Sequence, residues 1–222
     1  MSTHAGYKGP GDCPPVIPVF PLPGALLLPR GQMPLNIFEP RYLAMVDDAL
    51  RTDRVIGMIQ PDAEGGASPL NPKLYRVGCA GRITQFAETG DGRYLLSLTG
   101  IGRFRVMSEL ATTGAYRRCQ VSYDDFAIDF TARAGEDAVD REGVLRALRD
   151  FVDSNDLKVD WAGIEEAPNE ALVNALCMMS PFGVREKQAM LEAADLKTRA
   201  EILVAVTEME MVRSTGPEPT MQ

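Results

Sequence analysis

The sequence predicts an α+β protein, with a β-rich first part followed by a helical second part. Between residues 16 and 128, short apolar runs separated by Pro and Gly recur about every ten residues, which is typical of the strands of a small barrel or sandwich. Between residues 136 and 213, apolar residues recur at helical spacing instead. A stretch rich in Ala, Gly and Asp, residues 131–140, separates the two patterns and is interpreted as a linker.

The two ends of the chain are predicted to be disordered tails, residues 1–15 and 214–222. The first is rich in Gly and Pro and almost free of apolar residues, and the second contains Gly216, Pro217 and Pro219. No stretch approaches the roughly 18 to 20 apolar residues that span a bilayer, and the start of the chain lacks the apolar core of a secretory signal. We therefore expect a cytoplasmic protein without a membrane partner.

Several apolar runs in the first part are candidate strands, and one helix interrupts them. The runs are VIPVF, ALLLP, PLNIF, VIGMIQ, LYRVG, RITQFAE, RYLLSLTG, RFRVMSEL and RRCQVSY. Asp91-Gly92 predicts a tight turn that joins RITQFAE and RYLLSLTG as an antiparallel hairpin. The prolines in VIPVF and before LNIF predict edge strands or loops, because proline cannot donate to a ladder. Pro40 is expected in the first turn of the helix, whose apolar stripe includes Leu43 and Val46.

The second part is predicted to be a bundle of about four helices. Apolar faces at helical spacing lie within residues 144–152, 172–176, 184–194 and 202–209. Pro168 marks the start of one helix, Ser180-Pro181 separates two helices, and Asp195 is the expected cap of the last helix. The bundle is also acidic, because residues 126–222 contain 10 Lys and Arg against 19 Asp and Glu, whereas residues 1–125 contain 13 against 12.

The residues that most enzymes and metal sites require are missing from recognisable patterns. Cys13, Cys79, Cys119 and Cys177 form no CxxC pair, and His4 is the only histidine, so no metal site is expected. There is no P-loop and no Gly-x-Ser-x-Gly motif, and the glycine pair at 100–102 lacks the third glycine of a dinucleotide fingerprint and is interpreted as a turn. The sequence thus predicts no cofactor and no catalytic residue. An enzyme that uses carboxylates alone stays the last-ranked hypothesis and would need two facing carboxylates in a deep pocket.

Glu39, Arg41 and Tyr42 form the densest polar cluster in an otherwise apolar stretch. An arginine beside an aromatic ring could grip a peptide carboxylate or stack on a ligand. Alternatively, Glu39 and Arg41 could pair with each other and fix the start of the helix. The sequence favours the second, structural interpretation.

Three segments carry a family resemblance. Residues 17–46, IPVFPLPGALLLPRGQMPLNIFEPRYLAMV, combine a Phe-Pro-Leu start, an apolar run ending in proline, and a Phe-Glu-Pro-Arg-Tyr segment. VGCAGRITQF at 77–86 and LTGIGRFRV at 98–106 follow. Together with the helical part, these segments resemble the N-terminal, substrate-recognition domain family of Lon proteases over about residues 15–212. The structural motif residues that the resemblance implies are Glu39, Pro40, Gly81, Arg103 and Phe104.

The resemblance implies a PUA-like β pseudobarrel packed on a helical bundle, in a standalone, bacterial-type member without the ATPase and protease modules. It also implies a non-catalytic module that binds unfolded or tagged polypeptides, acting as a holdase or as an adaptor for a separate protease. The oligomeric state is not predicted. Arg30, Met33, Phe38, Arg41 and Tyr42 are the candidate peptide-binding residues.

Apolar surface for an exposed polypeptide is expected from three segments, residues 26–33, 58–72 and 178–182. For Met178, Met179 and Phe182 the alternative is ordinary bundle core, which their helical spacing favours. The alternative function is RNA binding by a groove containing Arg82, Arg103 and Arg105. The acidic charge and the absence of a basic run make nucleic acid the less favoured partner.

Overall fold

The computed structural model describes residues 6–62, 72–111, 114–156 and 158–215. Within these residues the first part contains six strands and one helix: β1 (Val16–Pro21), β2 (Gln32–Ile37), α1 (Pro40–Arg51), β3 (Val55–Ile59), β4 (Val77–Glu88), β5 (Tyr94–Glu109) and β6 (Arg117–Ser122). A connector follows, with two 3-10 helices, Asp124–Phe130 and Glu136–Ala138. The second part contains α2 (Arg141–Ser154), α3 (Trp161–Glu166), α4 (Asn169–Met179), α5 (Val184–Glu192) and α6 (Leu196–Thr215). The α+β prediction is confirmed, and the short α3 is the helix that the sequence did not indicate.

The strands form one sheet that curls into a barrel. Their order is β2-β5-β4-β3-β1-β6, and a further pairing between β5 and β6 closes the barrel. All pairings are antiparallel except that of β1 with β3. One side of β5 pairs with β4, whereas its other side pairs first with β2 and then with β6. Among the described residues, β2 therefore has a strand neighbour on one side only.

The glycine pair of β5 lies inside a strand and not at a turn, which corrects the sequence interpretation. A side chain at Gly100 would place its Cβ against the carbonyl oxygen of Leu28, in the loop between β1 and β2. Gly100 is thus needed for the close approach of this loop. The same loop contains the run ALLLP, which is not a strand: Leu26, Leu27 and Leu28 are fully buried in irregular backbone.

The remaining local predictions have mixed outcomes. The hairpin of β4 and β5 is confirmed, although Gly92 alone supplies the positive φ. Pro34 lies in the edge strand β2 as expected. The expectation of an edge strand at Pro18 was wrong, because β1 pairs with β3 on one side and with β6 on the other. The pairing of β1 with β3 begins only at Val19, so the missing N–H of Pro18 removes no hydrogen bond to β3. LYRVG contributes only its end to β4, while Leu74 forms an isolated bridge.

The start of the chain is more ordered than the frayed tail expected for residues 1–15. Residues 10–12 form a 3-10 turn, and Cys13 is buried against the barrel. The backbone carbonyl of Pro15 accepts a hydrogen bond from the N–H of Val121, and Tyr7 lies beside Arg82. The Gly- and Pro-rich composition predicted disorder, because composition cannot reveal contacts with strands that are distant in the sequence. Residues 1–5 and 216–222 lie outside the described residues.

The helical elements begin and end at the expected signals. Pro40 opens α1, whose buried face includes Tyr42, Met45 and Val46. Residues 180–183 separate α4 from α5, and the Asp195 carboxylate accepts a hydrogen bond from the N–H of Thr198 at the start of α6. The barrel and the bundle share one hydrophobic core, which contains residues of both parts. Residues 131–140 therefore connect two packed layers.

Candidate peptide-binding groove

A groove of about 390 Å³ lies between the loop that enters β2 and helix α4. We call it the groove throughout. Its barrel side is residues 29–32, its connector side is residues 132, 133 and 136, and its helical side is residues 168, 170, 171, 174, 175, 178 and 179. Ala, Pro and Met predominate on the helical side, so the surface offered to a ligand is mainly apolar. A mainly apolar concave site with a few fixed polar groups is typical of a binding site.

Backbone hydrogen bonds hold the barrel side of the groove against β5. The N–H of Arg30 donates to the carbonyl of Gly100 at 2.8 Å, and the N–H of Gly100 donates to the carbonyl of Gly31 at 2.9 Å. Arg30 has a φ of 65°, in the left-handed region that non-glycine residues seldom adopt. Two backbone hydrogen bonds to Gly100 therefore hold Arg30 and Gly31 in place, and these surroundings maintain the strained conformation of Arg30.

The Arg30 guanidinium bridges the barrel loop, helix α4 and the connector, and its donors are not free for a ligand. Its Nε donates to Glu170 Oε1 at 2.9 Å, a terminal nitrogen pairs with the same carboxylate, and the other donates to the carbonyl of Asp129 at 2.6 Å. This engagement fixes the opening of the groove rather than offering a free charge. Arg30 thus lines the predicted surface, with its donors turned to the protein.

A second carboxylate fixes the connector side. The Glu136 carboxylate accepts from the N–H of Glu170 at 2.9 Å and from Nε of Arg133 at 2.6 Å. Burial alone would raise the pKa of Glu136, but the Glu170 N–H and the Arg133 guanidinium outweigh it, and the pKa lies below its ordinary value. Glu136 is therefore held in its charged form, and the connector is fixed to the start of α4.

Two methionines give the groove its adaptable apolar surface. The side chain of Met178 fills the space over Gly31, so this glycine allows α4 to approach the loop. Met179 is 82 % exposed at the rim. Flexible, polarisable thioether side chains suit contact with varied apolar partners. Phe182, in contrast, is buried core, as the alternative interpretation of this segment expected.

The groove continues into the free edge of β2. The six residues of β2 extend about 20 Å at the usual rise per residue. Gln32, Pro34 and Asn36 are exposed, and Pro34 is tolerated at an edge because its nitrogen can face away from the ladder. Leu95, opposite Asn36, is exposed, and so is Phe38 just beyond the strand. An apolar groove thus leads into an unpaired strand edge that ends beside further apolar side chains.

The five predicted peptide-binding residues do not form one cluster. Arg30 lines the groove, and Met33 is half-buried in β2. Phe38 is exposed at the far end of β2, while Tyr42 is buried with its ring centroid 4.3 Å from that of Phe20. Arg41 lies over the Tyr42 ring at 4.5 Å and pairs with Glu39 at 2.8 Å, the internal pairing that the sequence favoured.

The implied structural motif residues occupy positions that hold the elements together. Glu39 is the N-cap and Pro40 the first residue of α1. A Cβ at Gly81 would meet the side chain of Leu27, so Gly81 makes room for the buried loop. Phe104 is fully buried in a second barrel core cluster, and Arg103 crosses from the barrel to the bundle.

Sequence reasoning missed Asn174, Glu170 and the connector residues Arg133 and Glu136. Each looks like an ordinary surface residue locally, and its role depends on partners at least 25 positions away, apart from the Arg133–Glu136 pair. The three-residue spacing of Arg133 and Glu136 is the one local signal that could have indicated a fixed connector.

Arg82, Arg103 and Arg105 do not share a surface, so the groove expected for RNA is not formed by them. Arg103 is 1 % exposed and paired with Asp129. Arg82 donates to the hydroxyl of Tyr7 at 3.1 Å, and Arg105 pairs with Asp125. Each cation is engaged separately within the protein.

The described residues offer no site for a bound metal ion or a reactive thiol. In that part of the chain, no group of three or more His, Cys, Asp and Glu is placed to hold a metal ion. Burial raises the pKa of all four cysteine thiols, which makes them poor nucleophiles. None of the helices in the described ranges combines the length and apolarity that crossing a bilayer requires.

Comparisons with known proteins give a consistent picture. The family model of the ATP-dependent protease La (LON) substrate-binding domain matches residues 16–207. Lon protease 2 of Myxococcus xanthus is 28 % identical over 198 residues, which cover 87 % of this chain and 23 % of that protein. The chain spans about a quarter of the length of the curated relatives it matches.

Two solved structures share the fold. The Lon N-terminal domain protein from Xanthomonas campestris is 25 % identical, with a TM-score of 0.60, and the match covers 86 % of this chain and 97 % of that one. The N-terminal domain of the Mycobacterium avium complex Lon protease has a TM-score of 0.64 at 17 % identity, covering 87 % and 98 %. At that identity the second likeness concerns the fold alone.

Proposed function

The chain belongs to the Lon substrate-binding domain family, and from that premise we propose that it binds unfolded or tagged polypeptide segments without catalysing a reaction on them. The single observation that carries this proposal is the groove with its continuation into the free edge of β2. An unfolded segment offers apolar side chains together with unpaired backbone N–H and C=O groups. The groove suits the former and the strand edge suits the latter.

The proposed binding mode is extended. A segment would place apolar side chains against Met178, Met179 and the alanines of α4, and would then pair its backbone with β2. Phe38 and Leu95 would receive side chains at the far end. In this arrangement Arg30 supports the groove wall, while Tyr42 and Arg41 fix the start of α1 and do not line the groove.

The cellular role that follows is an adaptor for a separate protease or a holdase. Both roles require reversible binding of many sequences at modest affinity. Backbone pairing and methionine contacts provide such tolerance because neither reads one particular side chain. Binding should therefore depend on exposure of an apolar segment and not on ATP.

The test is a titration of the purified chain against a fluorescently labelled, permanently unfolded model protein, followed by anisotropy without ATP. Met179→Gln should weaken binding by about fivefold or more, because burial of the 82 % exposed Met179 side chain under a bound segment contributes about 1 kcal/mol or more, which glutamine would lose. Met209→Gln is the matched control, since Met209 is likewise an exposed helical methionine but lies on α6, outside the groove. Both variants should keep the melting temperature of the parent.

Two results would contradict the proposal. One is no saturable binding of the unfolded protein by the parent chain at micromolar concentrations. The other is an equal loss of affinity in both methionine variants, which would move the binding surface away from the groove.

A further inference from the structure

A chain of buried hydrogen bonds runs from α6 through α4 to the barrel side of the groove. Arg199, on α6, donates to the side-chain oxygen of Asn174 at 2.9 Å. The side-chain nitrogen of Asn174 then donates to the carbonyl of Pro29 at 3.2 Å. Arg199 and Asn174 are each 4 % exposed, whereas Pro29 and Asn174 both line the groove. The wall of the groove is thus connected to a helix that does not line it.

Arg199 decides which way the Asn174 amide points. A guanidinium has donors only, so the amide must turn its oxygen towards Arg199. Its NH₂ group is then directed to the other side, where the Pro29 carbonyl accepts. Arg199 is itself held by the donation of its Nε to the carbonyl of Met190 at 3.0 Å.

We infer that Asn174 is a positioning residue that sets the width of the groove by fixing the Pro29 carbonyl, and that Arg199 orients it. The inference deepens the proposed function and rests on it. The Pro29 carbonyl immediately precedes Arg30, whose strained backbone conformation needs support from its surroundings. Loss of the hydrogen bond to this carbonyl should make residues 29–31 more mobile, and the width of the groove would then vary.

The charges around Asn174 support a functional reason for an amide there. Arg103 and Arg199 are both buried, and Arg103 takes both oxygens of the buried Asp129 carboxylate, at 2.9 and 2.8 Å. Arg199 makes no ion pair with a carboxylate among the described residues, and its second terminal nitrogen has no hydrogen-bond partner there. Burial and the neighbouring Arg103 charge accordingly lower the pKa of Arg199.

For the buried charge of Arg199 alone, a carboxylate at position 174 would be the more stabilising partner, because a buried cation without a paired carboxylate is costly. It could not donate to the Pro29 carbonyl, however, and would repel it. The residue present is therefore the one that serves the groove at the expense of the buried charge. Conflicts of this kind between local stability and geometry are typical of functional sites.

The experiment compares Asn174→Asp with Asn174→Leu. Both remove the donor to Pro29, but only the former supplies a charged partner for Arg199. We expect the melting temperature of Asn174→Asp to equal or exceed that of the parent, and that of Asn174→Leu to fall. In both variants the amides of Arg30, Gly31 and Gly100 should exchange with deuterium at least about tenfold faster, the factor expected for the loss of about 1.4 kcal/mol of local stability.

Affinity for the unfolded model protein should fall in both variants as well, although only Asn174→Leu loses stability. A merely structural role would instead make affinity follow stability. Unchanged exchange of the three amides in both variants would overturn the inference, as would parent-like affinity in both. If the parent chain binds no unfolded protein, the proposed function fails, whereas the exchange measurement still decides whether Asn174 positions the loop.

Discussion

The barrel and the bundle meet in two ways, and the contrast between the centre of their junction and its edge explains where binding is possible. At the centre, long polar side chains cross from one layer to carbonyls of the other: Lys187 Nζ donates to Gly24 O at 2.9 Å, and Gln188 Nε2 donates to Val77 O at 3.1 Å. At the edge, Gly31, Ala171 and Ala175 are too short to cross, and the groove remains.

Long side chains therefore close the junction at its centre, whereas small residues leave it open at the edge. The buried amino group of Lys187 and the amide of Gln188 both find hydrogen-bond partners, and such satisfied polar contacts make the centre rigid. At the edge, two side-chain hydrogen bonds hold the layers together, Arg30 to Glu170 and Asn174 to Pro29. They leave apolar surface uncovered. A rigid support with a small uncovered apolar surface is what a binding module needs.

The largest expected effect comes from breaking the centre. Arg103→Met should destabilise the protein by about 3 to 5 kcal/mol, because the buried Asp129 carboxylate loses its partner. Arg105→Met, two residues along the same strand, removes an exposed pair with Asp125 and should cost less than about 1 kcal/mol. Urea denaturation measures both. Similar losses in the two variants would mean that the junction does not depend on this ion pair.

A smaller effect is expected from moving the groove wall. Gly100→Ala places a methyl group against the Leu28 carbonyl and should cost about 1 to 3 kcal/mol of stability as the loop shifts. Binding of the unfolded protein should weaken with it. Gly90→Ala is the control, because nothing lies within 4 Å of a Cβ there. Thermal melting and anisotropy together check the prediction, and an unaffected Gly100→Ala would refute the close approach.

Acid should loosen the connector side of the groove. The pKa of Glu136 is lowered in the folded state, so its stabilising contribution is present above the ordinary value of 4.5 and is lost as the pH falls through the lower, folded value. Glu136→Gln should therefore flatten the decline in stability below pH 4.5, relative to the parent. Glu142→Gln, at an exposed position on α2, should leave that decline unchanged. Parallel pH profiles for all three proteins would be evidence against this role of Glu136.

The smallest effect is expected at the free edge. Asn36→Pro removes one backbone N–H from β2 at a position of the same parity as Pro34, which the strand already tolerates. Affinity for the unfolded protein should fall by about twofold to tenfold, the worth of one backbone hydrogen bond. Asn36→Ala keeps the N–H and should bind like the parent. Equal binding by both variants would indicate that the edge takes no part.

Much of the architecture follows from the sequence alone. The alternation of short apolar runs with Pro and Gly determined the β-rich part, helical spacing determined the bundle, and Pro40, Ser180-Pro181 and Asp195 marked element ends correctly. These signals are local: a proline without an N–H or an aspartate that caps a helix acts on its immediate neighbours. The family resemblance added the expectation of a β pseudobarrel packed on the helices.

The groove, in contrast, was decided only by the tertiary structure. The apolar segment 26–33 was expected on the surface, yet Leu26 to Leu28 are buried and only its end lines the groove. Gly100 looked like a turn residue, and Asn174 gave no signal at all. In each case the deciding partner lies far away in the chain, and side chains acquire such partners only when the layers pack against each other.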